Sequence, residues 1–540
     1  MAKLILLPTI TAVLVAVWLG YFIPKMHEMD EAYQKWNEEE WRIDKYFSRP
    51  APFFRFINTK CFGDGSALLY FMRVVFVSPA LKRVLQLMET ADKDEEEGIR
   101  FPKILCNERA RMSLTERVDE FYMDVKSSTT LTVTAKLFLY LGSYTGLMNH
   151  HGLLEMGMNA QVQNEVIKEP VFIVSPPRTA TTILHRTMSL DRKRFRSFDF
   201  SEMTVPSPNN LVPRWDEEGR RQKWEEGEKF LRQYEFVYPG IVKTIGSMHT
   251  IGPTEADEDL NWLDHGLGHR YRTLFKLYPV YRSKNKKKQN NDDSSDMQED
   301  DGSWGNVESN EVIEYRYAWL SMIMRIHQHV DKEKWEEKSA DEDDASSSNE
   351  HPTSGLPWIM KDPNHAPHLN ELLAQFPDAK LIFIHRNPAD IVTSLAKLYI
   401  VCISMDFLPG SRGASAKEIG EEAVLRMKYY SKGMVDFTME QNSKNPSSPY
   451  SLQQQHGNST SRIDLHFVDV VRDVPGSITK IYQQFYPEQG GPSVEAMEAI
   501  QDYLKKDKKE KQIRQPRSLE DFHLTKDDVT FPEYNQLFLS

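Results

Sequence analysis

The sequence predicts an α/β fold: a three-layer sandwich around a central parallel sheet, with a helical N-terminal region and an N-terminal transmembrane helix. Three observations lead there. Short apolar, β-branched runs at Val171–Val174 and Leu381–Ile384 read as strands buried on both faces, the mark of a parallel sheet. Each is followed by a turn and then by helical spacing, as in Ile183, Leu184, Met188 and Leu190. An uncharged apolar run of 20 residues, Leu4 to Ile23, stands at the start of the chain.

At 1.5 Å rise per residue that run spans roughly the 30 Å of a bilayer core. Pro8 falls near its start, where a helix tolerates proline, and Trp18, Tyr21 and Phe22 crowd its far end as interfacial aromatics do. It is longer than the apolar part of a signal peptide, and no A-x-A cleavage site follows. The expectation is an uncleaved anchor over residues 1–25, contacting membrane through residues 4–23, in type II topology. The body would then face the lumen of the Golgi or another secretory-pathway compartment. The sequon Asn458-Ser459-Thr460 is compatible with that placement.

Residues 26–165 read as a stalk and helical region without recognisable chemistry. Glu28 to Trp41 is a charged, Trp-studded helix, and Thr129 to Met158 keeps helical spacing. His150 and His151 lie in the latter; a histidine pair without a third ligand is an ordinary helix feature rather than a metal site. Residues 166–540 form the main domain. Three stretches within it cannot build core: Ser283 to Asn310, Glu336 to Gly355 and Gln441 to Ser461 are rich in charge, Ser, Asn and Gln. They read as disordered insertions, because periodic segments resume after each.

Net charge −12 and the lack of a basic stripe argue against nucleic acid as a partner. Cys61, Cys106 and Cys402 are widely separated, which excludes a disulfide scaffold and metal-like spacing. No metal site is expected.

The chemistry concentrates at three strand ends. After Val174, Ser175-Pro176-Pro177 stops the strand, and Thr181-Thr182 opens a helix. The first-turn N–H groups and the positive end of the helix dipole make this loop an anion site. Arg178, Thr179, Thr181 and Thr182 add a cation and three hydroxyls there. The kinase-type spacing GxxxxGK[ST] is absent. After Leu381–Ile384, Asn387, Pro388 and Asp390 suit N-cap, N1 and N3 of a helix. Capping does not account for Arg386, or for Ser394 on the same helical face as Asn387. Trp358 to Met360 suggests another strand, ending in Lys361 and broken by Asp362-Pro363. Arg462 to Val471 reads as a fourth strand and Ile478 to Phe485 as its helix. Ligands of open α/β sheets bind beyond such strand ends.

These blocks resemble sulfotransferases. Pro177-Arg178-Thr179-Ala180-Thr181-Thr182 matches their phosphosulfate loop, P-[KR]-[ST]-G-T-T, except for Ala180 in place of glycine. Arg386 and Ser394 reproduce the R-[ND]-P-x(5)-S pattern, and Trp358 to Pro363 the W-x-x-K-x-P block of bacterial-type and tyrosyl-protein-type members. The resemblance runs from about Glu169 to Phe538, broken by the insertions.

It implies a P-loop-like fold and 3′-phosphoadenosine 5′-phosphosulfate as co-substrate. Arg178, Thr179, Ala180, Thr181 and Thr182 would hold the 5′ side, with Arg386 and Ser394 on the 3′-phosphate. Lys361 would stabilise the leaving phosphate as a point charge. Related enzymes carry an acidic residue where Glu202 stands, making it the first candidate base; as a plain residue it is equally a loop carboxylate. His249 is the second candidate. Glu255, Asp257 and Glu258 line the acceptor site or form a solvated first helical turn ahead of Leu260, Trp262 and Leu263. The acceptor is open among carbohydrate, lipid, peptide and small alcohol. The alternatives are a non-catalytic, membrane-tethered nucleotide-binding relative, and a nucleotide-dependent kinase, which lacks its loop lysine and its magnesium carboxylate.

Overall fold

A computed structural model describes residues 66–93, 102–204, 211–240, 242, 252–259, 310–341, 355–406, 415–444, 461–510 and 518–539. The expected anchor at residues 4–23, the stalk helix at 28–41 and His249 lie outside them. Among the described residues, no helix is long and apolar enough to cross a membrane.

The N-terminal part is helical, as its periodicity predicts. Helices α1 (Ser66–Met72), α2 (Ser78–Lys93), α3 (Glu108–Ser127) and α4 (Val133–Gly157) precede the first strand. Asn107 and Thr132 cap α3 and α4, their side-chain oxygens accepting the N–H groups of Ala110 and Ala135. His150 belongs to the packing of α4: it is buried, stacks on Trp319 and bonds the Tyr315 hydroxyl at 3.2 Å.

The rest alternates strand and helix: β1 (Val171–Val174), α5 (Thr181–Ser189), α6 (Phe200–Thr204), α7 (Glu217–Val237), α8 (Asn310–Asp341), β2 (Ile359–Lys361), α9 (Leu369–Gln375), β3 (Lys380–His385), α10 (Pro388–Asp406) and α11 (Ala416–Lys444). There follow β4 (Arg462–His466), α12 (Phe467–Arg472), α13 (Val474–Phe485), α14 (Val494–Glu510) and α15 (Pro532–Phe538). The four strands form one parallel sheet in the order β2-β1-β3-β4, with Phe172 beside Met360 and Leu381, and Ile382 beside Ile463.

Side chains alternate along each strand, so the sheet is buried twice. Phe172, Val174, Leu381 and Phe383 face a core shared with α4, α8, α10 and α11. Val171, Ile173, Ile382 and Ile384 face the opposite core, built with Leu184 and Met188 of α5 and Ile478 and Ile481 of α13. These are the three layers. The helix after β1 thus leaves on one face of the sheet and the helix after β3 on the other. Adjacent parallel strands that part in this way open a crevice at their C-terminal ends, the topological switch point. One glycine fixes how closely α11 approaches the turn after β2: a Cβ on Gly433 would stand 2.3 Å from the Pro367 Cα.

Three expectations of extent are corrected. The strand predicted over Arg462 to Val471 ends at His466 and turns into α12. Val470 is buried whereas Val468 and Val471 are exposed, so burial there follows helical spacing, not the two-residue period of a strand. α8 continues through Asp341, six residues into the stretch read as insertion at Glu336, and α11 runs to Lys444 past Gln441. Charged exposed side chains extend a helix without needing core, and Lys334 with Glu337 illustrates this at 2.9 Å. The remainder of the three insertions lies outside the described residues.

Candidate active site

The loop after β1 is built by its own hydroxyls. Ser175 Oγ donates to the Val174 carbonyl at 2.5 Å and accepts the Ile384 N–H at 2.7 Å, stapling the loop to β3. Buried Thr179 donates its hydroxyl to the Pro176 carbonyl at 2.8 Å. Arg178 and Ala180 both take left-handed backbone, with φ of 69° and 71°. These two turns fold the chain back so that α5 starts at Thr181 directly above the strand end. Its first N–H groups, lacking intrahelical partners, point at the loop. A left-handed alanine costs about 1 kcal/mol, which glycine would not incur.

The loops after β1 and β3 meet across the crevice. Arg178 Nε donates to Ser394 Oγ on α10 at 3.0 Å, and Arg386 Nη1 donates to the Arg178 carbonyl at 2.6 Å. The Arg386 guanidinium lies 4.1 Å from the Phe467 ring centroid, so the first residue of α12 forms its floor. Asn387 caps α10 by accepting the Ala389 N–H at 2.9 Å, leaving Arg386 just ahead of the helix.

A second cluster stands at the end of β2. Lys361 is almost fully buried; its Nζ donates to Thr182 Oγ1 at 3.0 Å and forms a close ion pair with Glu258. His185, one turn along α5, donates Nε2–H to the Ile359 carbonyl at 3.3 Å. Burial and the nearby Lys361 push its imidazole down to about 4, so it is neutral near pH 7. The segment carrying Glu258 is pinned by the next residue. Asp259 accepts from His365 Nε2 at 2.9 Å, and His365 Nδ1 accepts from the Tyr317 hydroxyl at 3.1 Å. Burial pushes Asp259 up, but the facing His365 outweighs it and holds the carboxyl below its ordinary value. Asp362, between Lys361 and the His365 turn, is pushed up to about 7 by burial and by Asp259.

A cation fork, a hydroxyl on the helix behind it and a buried lysine at the next strand end make a site for a dianionic ligand. A family model described as "Sulfotransferase family" matches residues 170–487, more than half of the chain and all four strands. The chain belongs to the sulfotransferase family. Sulfotransferase STF9 from Mycobacterium avium shares the fold, with a TM-score of 0.54 at 15% identity over 84% of this chain and 96% of that one. Sulfotransferase STF1 from Mycobacterium tuberculosis is similar at a TM-score of 0.47 and 17% identity, covering 82% of this chain and 96% of that chain. No curated protein matches the sequence.

Within this sulfotransferase the residues singled out from sequence separate into two groups. Arg178, Arg386 and Ser394 come together at the switch point, and Thr182 and Lys361 beside them at the end of β2. Thr181 is buried at the start of α5, and the Thr179 hydroxyl is spent inside the loop. Glu202 goes elsewhere. It sits at N3 of α6, where its carboxylate accepts the Asp199 N–H at 2.7 Å, one half of a capping box. Asp199, Arg214 and Arg220 surround it, while the carboxylate paired with Lys361 is that of Glu258. Burial and then Asp199 push Glu202 up to about 7. His185, the Asp259–His365 pair and Phe467 were not singled out. The only signal for His365 is its place four residues after Lys361 in one short block; nothing in the sequence marks the other three.

Proposed function

We propose that this sulfotransferase moves a sulfuryl group from 3′-phosphoadenosine 5′-phosphosulfate to a hydroxyl or amine of its acceptor by in-line transfer. The observation that carries the reading is the joining of Arg178, Ser394 and Arg386 across the switch point. A guanidinium fork with a fixed hydroxyl suits a phosphate monoester such as the 3′-phosphate. The first turn of α5 suits the 5′-phosphosulfate.

In the transfer the acceptor oxygen bonds to sulfur while the bond from sulfur to the bridging oxygen breaks, releasing 3′-phosphoadenosine 5′-phosphate. Lys361 supplies positive charge to that bridging oxygen, and Thr182 orients the ammonium. Glu258 takes the acceptor proton in place of Glu202. Its ion pair with Lys361 holds both groups ready: as the ammonium turns to the donor phosphate, the carboxylate is released toward the acceptor. Asp259, through His365, positions it.

A kinase reading finds no lysine in the loop after β1; the cation comes from β2 instead. To test the transfer, donor labelled in its sulfuryl group is incubated with hydroxyl and amine acceptors. The expected result is labelled product that disappears in Glu258→Gln. Tight donor binding without any labelled product would favour the non-catalytic relative.

Membrane association is part of the proposal. Leu68, Tyr70, Phe71, Val74, Val75 and Phe76 are exposed on and just after α1, on the N-terminal side of the sheet domain like the apolar run at 4–23, and support it. Alkaline carbonate extraction of cell membranes should leave the full chain in the pellet.

A further inference from the structure

A cavity of about 550 Å³ lies beside the later part of α5. Its walls are the second half of α5, the segment 252–256 and the end of α14. Two of its wall residues are close along the chain to the transfer chemistry. Arg186, in its wall, is one helical turn beyond Thr182, about 6 Å along α5. Glu255, also in its wall, is three residues before Glu258, no more than about 11 Å of extended chain.

The lining is mixed, and its charges do not balance locally. Asp199 is engaged by Arg220 and by Trp224 Nε1 at 3.0 Å. Glu255 faces Arg186 at 3.7 Å, and Asp502 pairs with Lys505 at 2.9 Å. Arg192, Arg214 and Lys506 have no carboxylate within ion-pair distance of their charged groups among the described residues. The Arg192 guanidinium lies 5.8 Å from the Trp224 ring, and Arg214 donates to the Ser197 carbonyl. Arg214 is pushed down to about 10 by burial and by neighbouring Arg220, against the opposing pull of Glu202, Asp199 and Asp331. Ser189, Ser197 and Thr254 add hydroxyls, and Leu190, Ala256, Ala499 and the ring of Tyr503 supply the apolar part.

We infer that this cavity is the acceptor site and that it takes an acidic saccharide, a sugar bearing a carboxylate or sulfate held by Arg192, Arg214 and Lys506. The inference rests on the sulfotransferase reading of the neighbouring cluster. The anion would anchor one end of the sugar and direct a hydroxyl along α5 toward Glu258. The volume suits one or two sugar rings.

The test is calorimetry on the full chain in two stages. Affinity for 3′-phosphoadenosine 5′-phosphate is measured first, and its absence would indict the donor reading alone. The chain is then titrated with a glucuronate-containing disaccharide, a sulfated disaccharide, a neutral disaccharide of equal size and a glutamate-rich tripeptide. One or both acidic disaccharides should bind at least about tenfold more tightly than the neutral one. Arg192→Gln and Lys506→Gln should each remove most of that preference and leave the nucleotide affinity unchanged. Equal binding of acidic and neutral sugars would overturn the inference, and so would tighter binding of the acidic peptide. A preference for acidic sugars that survives in the Arg192→Gln, Lys506→Gln double variant would place the anion elsewhere and also overturn it.

Discussion

Glu258 and Lys361 form an ion pair at the C-terminal end of β2, with Lys361 almost wholly buried and the Glu258 carboxylate a quarter exposed. The buried lysine needs a counter-ion, and the carboxylate keeps contact with solvent. That asymmetry supports the proposed roles, with the lysine toward the donor and the carboxylate toward the acceptor.

Glu258→Gln should therefore separate chemistry from binding. Glutamine still accepts a hydrogen bond from Lys361 but takes no proton. Loss of a positioned base costs about 10²–10⁴ in rate. The expected outcome is a fall in kcat of that order, with affinity for 3′-phosphoadenosine 5′-phosphate within about threefold of the parent, a shift well under 1 kcal/mol. Rapid-quench kinetics and calorimetry measure the two quantities.

Ser394→Ala should weaken the nucleotide through its 3′-phosphate only. It removes the hydroxyl that Arg178 Nε meets at 3.0 Å and that the 3′-phosphate would share. A hydrogen bond to a charged group contributes about 1.5–3 kcal/mol, so the affinity should drop about tenfold or more. Binding of 5′-AMP, which lacks that phosphate, should be unchanged in a competition assay.

Ala180→Gly should stabilise the fold. The backbone at Ala180 is left-handed, and relief of about 1 kcal/mol there exceeds or offsets the greater freedom of glycine in the unfolded chain. Thermal unfolding should show an equal or higher midpoint. A clear decrease would mean that the methyl, which packs against Leu184 and its neighbours, outweighs the strain.

Glu202 should contribute a component of stability that falls as pH rises from about 4.5 to 7, opposite in sign to what the buried neutral His185 contributes. The folded value of Glu202 is pushed up to about 7, above the ordinary 4.5. Within that window the folded state holds a proton that the unfolded state has released, so raising the pH favours unfolding. Glu202→Gln keeps the acceptor for the Asp199 N–H and removes the titration. In urea titrations the variant should match the parent near pH 4.5 and exceed it at pH 8, by at most roughly 3 kcal/mol.

Much of the sheet could be read directly from sequence because its strands are buried on both faces and so are continuous apolar runs. Val171–Val174 and Leu381–Ile384 are of this kind, and β3 exceeds the predicted run by only one residue at each end. Phe467 to Val471 misled because alternating apolar residues fit a strand until the burial of Val470 alone shows a helix. Arg178, Arg386 and Ser394 were readable because each lies at a strand end or on the helix that follows it. The partner of Lys361 was not, because it is set by long-range packing. Glu202, Glu255, Asp257 and Glu258 look alike as residues, and what separates them is that Asp259 is fastened to His365, more than a hundred residues away. Glu202 was persuasive by position, but its carboxylate is used in capping α6.

The central claim is that the crevice between β1 and β3 recognises a nucleotide by its 3′-phosphate. It is tested most directly by calorimetry of the full chain with 3′-phosphoadenosine 5′-phosphate, with 5′-AMP and ATP–magnesium as comparisons. The account predicts binding to the first at least about tenfold tighter than to either of the others, and loss of that preference in Arg386→Ala. Tighter binding of ATP–magnesium, or a preference for the 3′-phosphate that survives in Arg386→Ala, would contradict it.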